Sequence, residues 1–172
     1  MDDAWLGVKV LTPRRPETTP PRQRVDAADT ASARWRFTTE RPSGNWQSPE
    51  YDDSSWQQGA AGFGTTQTPG ERVGTVWNAS DIWLRRKFDV TQSAGDQLYL
   101  HIHHDEDSEV YINGVLAKRT RGFTTDYEQI PIRATALAAI KPKGNVLAVH
   151  CRQTTGGQYI DVGIVTLKPE EN

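Results

Sequence analysis

Between Leu98 and Ile112 the chain repeats with a period of two, and that one property excludes most of the folds open to it. Leu98, Leu100 and Ile102 alternate with Tyr99, His101 and His103, and after the acidic stretch Asp105-Glu106-Asp107, Val110 and Ile112 flank Tyr111. A helix would return apolar side chains every three or four residues, whereas alternation sorts them onto the two faces of a strand. The segment 98–117 is predicted to form two adjacent antiparallel strands joined by the acidic turn. Asn113-Gly114 then reverses the chain, because this pair supplies the positive φ angles of a two-residue hairpin turn. With one strand face buried, function has to be sought on the other face and in the loops.

The same alternation recurs along the chain. Trp35 and Phe37 alternate with arginines and a threonine, Ile82, Leu84, Phe88 and Val90 oppose Trp83, Arg85, Lys87 and Asp89, and further strands are predicted over 127–132, 145–153 and 159–167. Turn formers separate them, including Gly44-Asn45-Trp46, the loop 49–56, the glycine-rich piece 59–64 and Thr154-Thr155-Gly156-Gly157. Ala134 to Ile140 is a small-residue stretch suited to a helical turn. Short strands between turn signals, without a convincing amphipathic helix, predict an all-β fold, an antiparallel β-sandwich. A chain of 172 residues can bury such a core without disulfides. The single Cys151 cannot form an internal bridge, and its alternating apolar surroundings predict a buried thiol rather than a nucleophile.

Residues 1–30 read as an N-terminal segment and linker, and 31–172 as the sandwich. Trp5 to Leu11 is a short apolar run suited to an edge strand or to the last strand of a preceding domain. Residues 13–24 carry four prolines and several like charges, which suit a stiff linker and not a regular ladder of backbone hydrogen bonds. Such a linker implies a place in a larger multidomain protein. The formal charge of -2 and sequence pI near 6.1 provide no basic field for nucleic acid. No window reaches the roughly 18 apolar residues of a membrane span, and the acidic start lacks the features of a secretory signal.

Four strings, in order, carry a resemblance: Tyr51-Asp52-Asp53-Ser54-Ser55-Trp56, then 81–88 (DIWLRRKF), then Val110-Tyr111-Ile112-Asn113-Gly114, then 143–149 (KGNVLAV). Together they resemble the galactose-binding-like jelly-roll domain, and most of all the non-catalytic sugar-binding domain of family 2 glycoside hydrolases and related bacterial modules, over residues 34–167. The resemblance implies a jelly-roll sandwich, a polysaccharide or oligosaccharide ligand, a covalently linked catalytic domain, and an extracellular or periplasmic place within a larger secreted protein. Read physically, the motifs are folding signals. Asp52 and Asp53 suit turn hydrogen bonds, Trp56 an anchor for its loop, and Gly144-Asn145 a turn before a strand.

The outward parity is where chemistry is expected. It offers Trp83, Arg85, His101, His103, His150, Tyr159 and Asp161, a mixture of aromatic planes and planar polar groups that suits sugar rings and paired hydroxyls. Loops add Trp46, Trp77, Arg121, Tyr127 and Gln158, with Trp35 and Trp56 assigned to the core and Trp46 and Trp77 expected to be the more exposed, either as stacking platforms for a ligand or as anchors of their own loops. The alternative is an ordinary solvated face. Asp105 and Asp107, flanking Glu106, are hard oxygen donors that suit calcium, which the resemblance allows as a structural ion, although EF-hand spacing is lacking and an acidic solvated turn is the alternative; His101 and His103 share a strand face as a transition-metal pair would. No cofactor is required. Asp105 and Asp161 could serve as the paired carboxylates of a glycosidase only across a cleft that the sequence does not place. No nucleophile elbow, phosphate loop or zinc-protease motif is present. The expectation is a non-catalytic carbohydrate-binding module, with a brace for a neighbouring catalytic domain as the rival reading.

Overall fold

The computed structural model describes residues 33–66, 71–90 and 97–167, together with the backbone of 22–25. The strands are β1 (Arg22–Val25), β2 (Arg34–Thr38), β3 (Gln57–Ala60), β4 (Phe63–Gly64), β5 (Thr75–Val76), β6 (Asp81–Phe88), β7 (Gln97–Asp105), β8 (Asp107–Ile112), β9 (Val115–Thr120) and β10 (Glu128–Pro131). One helical turn, α1 (Ala134–Ala138), follows before β11 (Asn145–Arg152) and β12 (Tyr159–Leu167). They assemble into two six-stranded sheets. One runs β10-β7-β12-β4-β5 with β1 also paired to β12, and the other runs β3-β2-β6-β11-β8-β9. Every pairing is antiparallel except β4 with β5. The architecture is the expected β-sandwich.

The interior follows the alternation. Leu98, Leu100 and Ile102 of β7, Val110 and Ile112 of β8, Leu147, Val149 and Cys151 of β11, and Ile160, Val162 and Ile164 of β12 meet in one apolar cluster between the sheets, with Trp35, Phe37, Ile82 and Leu84. Each fully buried Leu, Ile or Val contributes roughly 1.5–3 kcal/mol over leaving it in water. Cys151 lies among them, and burial pushes its thiol up to about 12, so it packs as a small hydrophobe.

Two expectations about connectivity are corrected. β7 and β8 are not hairpin partners: β7 pairs with β10 and β12, whereas β8 pairs with β9 and β11, in the opposite sheet. The acidic stretch at Glu106 is a corner at which the chain changes sheet, and strands on either side keep their apolar parity toward the shared core. The true hairpin is β8–β9, where Asn113 at φ 50° and Gly114 at φ 81° adopt the left-handed conformations its tight turn requires. The second correction concerns the linker. Arg22–Val25, the end of the proline-rich stretch, pairs antiparallel with β12, so the sheet begins before residue 31. Backbone donors return once the prolines stop, and an edge position tolerates what precedes it. The apolar run Trp5 to Leu11 lies outside the described residues.

The glycine-rich piece allows two strands to approach closely. A Cβ at Gly64 would stand 2.1 Å from the Gln158 carbonyl oxygen of β12's entry loop, and one at Gly62 would stand 2.0 Å from the Arg72 carbonyl oxygen. No larger residue fits either place without moving backbone.

Trp35 and Trp56 are buried as expected, whereas two other tryptophans differ from expectation in their exposure. Trp77, expected at the surface, is 2% exposed in the main core, where its indole N–H donates to the Asp81 carbonyl at 3.2 Å. Trp46 is buried in a second, smaller core on the outside of the β6–β11–β8 sheet, with Trp56, Trp83, Val146 and Ala148, flanked by Tyr51 and Tyr111. The loop 39–56 folds over that face and uses its aromatics as anchors. Among the described residues no helix is long and apolar enough to cross a membrane.

Candidate functional site

The outward residues grouped by parity divide between two opposite faces of the sandwich. His101, His103, Tyr127, Tyr159 and Asp161 belong to the face of β7 and β12, whereas Trp83, Arg85 and His150 belong to that of β6 and β11. Two separate constellations result.

On the β7–β12 face, cross-strand register places Asp161 opposite His103 and Gly163 opposite His101. Tyr127, from the segment leading into β10, closes over them. Its ring stacks on His101 at 4.6 Å and meets His103 edge-on at 5.4 Å, and its hydroxyl donates to Asp161 Oδ2 at 2.6 Å. The Tyr159 hydroxyl lies 3.3 Å from that of Tyr127. Gln129 donates to His101 Nδ1 at 2.9 Å, and His103 donates through Nε2 to the Thr124 carbonyl at 3.2 Å. His103 is fully buried, and its Nδ1 has no hydrogen-bond partner. Burial outweighs the Thr124 carbonyl and Asp126, both of which favour the cation, and holds this imidazole below its ordinary range. Burial first, and Asp161 next, raise the Tyr127 phenol far above its usual range, while Tyr159 is pushed up to about 12. This polar network is satisfied largely by itself: His101, His103, Tyr159 and Asp161 are buried, while Tyr127 is half-buried and Gln129 exposed at its rim.

The opposite face is half covered and half open. Its covered half turns on Arg85, 1% exposed, whose guanidinium gathers the loop 39–56 beneath it. Nε donates to Asp53 Oδ2 at 2.8 Å, Nη1 to the carbonyls of Trp46 and of Ser48 (3.0 Å), and Nη2 to that of Tyr51 at 3.4 Å. The Tyr51 ring lies 5.3 Å from the guanidinium carbon. A buried cation is tolerated only when paired and hydrogen-bonded, and here the planar fork meets acceptors on every side. Arg85, expected to contact sugar, is a structural tether. Asp53 serves it too, while Asp52 Oδ1 accepts the Ser54 N–H at 2.9 Å as a turn residue does.

Beside that cover a cleft of about 780 Å³ opens over the sheet. Its floor is Trp83 and His150, cross-strand partners whose rings stack at 4.7 Å and 7°. His150 Nε2 donates to Asp81 Oδ1 at 2.7 Å. Glu109 lies opposite His150 on β8, and Arg152 opposite Asp81 on β11. Trp46 and Arg41 contribute from the loop side.

Of the sequence-predicted residues, Trp46 and Trp83 therefore reach the cleft, although each is less than one-tenth exposed. His101, His103, Tyr127 and Asp161 come together in the network on the β7–β12 face. Gln158 is buried and donates to the Ala79 carbonyl at 2.6 Å, Trp77 is core, and Arg121 is exposed on the turn after β9. Asp107 Oδ1 accepts the Gly122 N–H at 3.0 Å, Asp105 is buried at the end of β7, and among the described residues no group of three or more His, Cys, Asp or Glu could hold a metal ion. Arg41, Asp81, Glu109 and Arg152 were not foreseen. The last three share the outward parity of Trp83, Tyr111 and His150, which was the available signal.

No protein-family model matches the chain, and no curated protein matches it. Solved structures do. The β-glucuronidase of Bacteroides uniformis matches with a TM-score of 0.55 and 20% identity over 78% of this chain and 17% of that one. A β-glycosidase from Bacteroides vulgatus matches at 0.52, with 18% identity over 78% of this chain and 20% of that one. A glycosyl hydrolase family 2 member from Bacteroides cellulosilyticus matches at 0.53, with 15% identity over 82% of this chain and 20% of that one. The chain thus spans about a fifth of each of these larger proteins, and what it shares with that portion is the fold.

Proposed function

We propose that this chain is a non-catalytic β-sandwich module of a larger, secreted carbohydrate-active enzyme, of the galactose-binding-like kind, and that it holds glycan in the cleft over Trp83 and His150. The observation that carries this reading is the cleft itself. A flat stacked pair forms its floor, and charged planar groups stand around it in the arrangement that pairs with sugar hydroxyls. The likeness in fold to one part of family 2 glycoside hydrolases supports an ancillary role, because chemistry in a larger chain can reside elsewhere.

A second reading has its own support. Trp46, Trp77 and Trp83 are all buried, so none presents the broad open platform of a strong glycan binder. On that reading the sandwich braces a catalytic neighbour and binds no sugar.

Affinity electrophoresis of the full chain through gels containing plant, algal and microbial polysaccharides separates the two. Retardation by a particular polysaccharide, abolished by His150→Ala while thermal stability holds, is the expected result. Free migration through every gel by the folded protein would overturn glycan binding and leave the brace.

A further inference from the structure

We infer that the cleft selects glycans bearing an anionic substituent, a uronate carboxylate or a sulfate ester, and that Arg41 and Arg152 are the groups that read it. This rests on the glycan-binding reading above and adds the chemical class of the ligand.

The inference follows from which groups in the cleft already have partners. Both oxygens of Glu109 are engaged: Oε1 accepts from Arg119 Nε at 2.6 Å and Oε2 from the Tyr111 hydroxyl at 2.5 Å. Asp81 gives Oδ1 to His150. Asp107, the cross-strand neighbour of Arg152 on β8, gives Oδ1 to the Gly122 N–H. Acceptors are therefore largely used, whereas donors are not. Arg41 and Arg152 are exposed and line the same cleft, and among the described residues their guanidiniums have neither a hydrogen bond nor an ion pair. Arg152 stays unpaired although Asp81 and Asp107 flank it in register.

Three other arginines of this sheet are already engaged. Arg85 is saturated by a carboxylate and three carbonyls, Arg36 donates to the Trp56 carbonyl at 3.1 Å, and Arg119 is paired with Glu109. With Glu109 and Arg119 taken as one neutral pair, two unpaired guanidiniums face the single carboxylate of Asp81. A ligand that fits must bring oxygen acceptors, and it gains most if they are charged. An anion accepts a guanidinium's parallel N–H groups in pairs, with bonds about twice as strong as those to neutral oxygens. One arginine stands on the loop side and the other on the sheet, so a sugar ring lying over His150 would present its substituent between them.

The test compares oligouronates with the same oligosaccharides after reduction of each carboxylate to a primary alcohol, and with a sulfated neutral oligosaccharide, by calorimetry on the full chain. The expected outcome is binding of an anionic ligand at least about tenfold tighter than of its uncharged counterpart, weakened by added sodium chloride. Arg41→Gln and Arg152→Gln should each reduce it severalfold, with thermal stability unchanged because both side chains are exposed. The uronate and sulfate arms identify which anion is read. Equal affinity for reduced and acidic ligands, with both variants binding as the parent does, overturns the selectivity and leaves glycan binding standing. No affinity for any glycan overturns both.

Discussion

The two outer faces of this sandwich obey the same alternation yet end in opposite states. On the β7–β12 face a single phenol, Tyr127, closes over two imidazoles and a carboxylate, and a polar cluster becomes interior. On the β6–β11–β8 face the loop 39–56 is drawn down by Arg85 at one half only, and the other half remains a cleft. Outward parity therefore does not mean exposure. The sheet decides which way a side chain points, and the connecting segments decide what it meets there.

The largest expected effect breaks the covered half of the open face. Arg85→Met leaves Asp53 and the loop carbonyls without their donor, and removing one partner of a buried charge pair costs about 3–5 kcal/mol. Urea unfolding should show that loss, and a change within about 1 kcal/mol would mean that the loop is not held this way. Next comes the closed face. Tyr127→Phe keeps the ring and removes the hydroxyl bonded to Asp161, at a cost of about 1–3 kcal/mol. In the parent, spectrophotometric titration should show Tyr127 and Tyr159 ionising only as the protein unfolds at high pH.

A smaller effect separates the faces by pH. His103 has a folded-state pKa depressed by burial, so the unfolded chain takes the proton more readily. Its contribution is complete above the ordinary imidazole value of about 6.5 and is lost as pH falls through that value toward the folded-state pKa. Denaturation midpoints at mildly alkaline and mildly acidic pH should diverge in the parent and diverge less in His103→Gln, and equal divergence would remove His103 as the cause. The smallest effect is a null. Chelation should leave the melting temperature unchanged, because the carboxylates at the Glu106 corner are not gathered into a set that could hold a metal. A drop on chelation would instead favour a calcium held at Asp105 and Asp107.

Much of the fold was legible because a period of two survives every detail of context. The inward residues of β7, β11 and β12 were read correctly from spacing alone, as was the Asn113-Gly114 turn. Sheet membership was not legible. Nothing local distinguishes a hairpin after Asp105 from a corner that changes sheet, since both keep the same alternation. That ambiguity merged two faces into one and joined Arg85 to His103, which lie on opposite sides of the core. The exposure of Trp46 and Trp77 was misjudged for a related reason. Turn-forming neighbours place a residue in a loop, but whether the loop folds back depends on distant partners such as Arg85 and Ala148. Arg41 and Arg152 are informative through their lack of partners, which no single sequence displays.

The pairing of β1 with β12 bears on how the sandwich would carry mechanical load. Because the two strands run antiparallel, with Arg22 beside Thr166, the chain enters and leaves at the same end of their ladder. Tension applied through those two points would peel β1 away one rung at a time, starting at Arg22, instead of shearing all its hydrogen bonds together. The register irregularity between Gln23 and Val25 weakens the ladder further. In a longer chain under strain this edge would yield at low force and lengthen the tether, while the pairing of β12 with β7 stayed intact behind it.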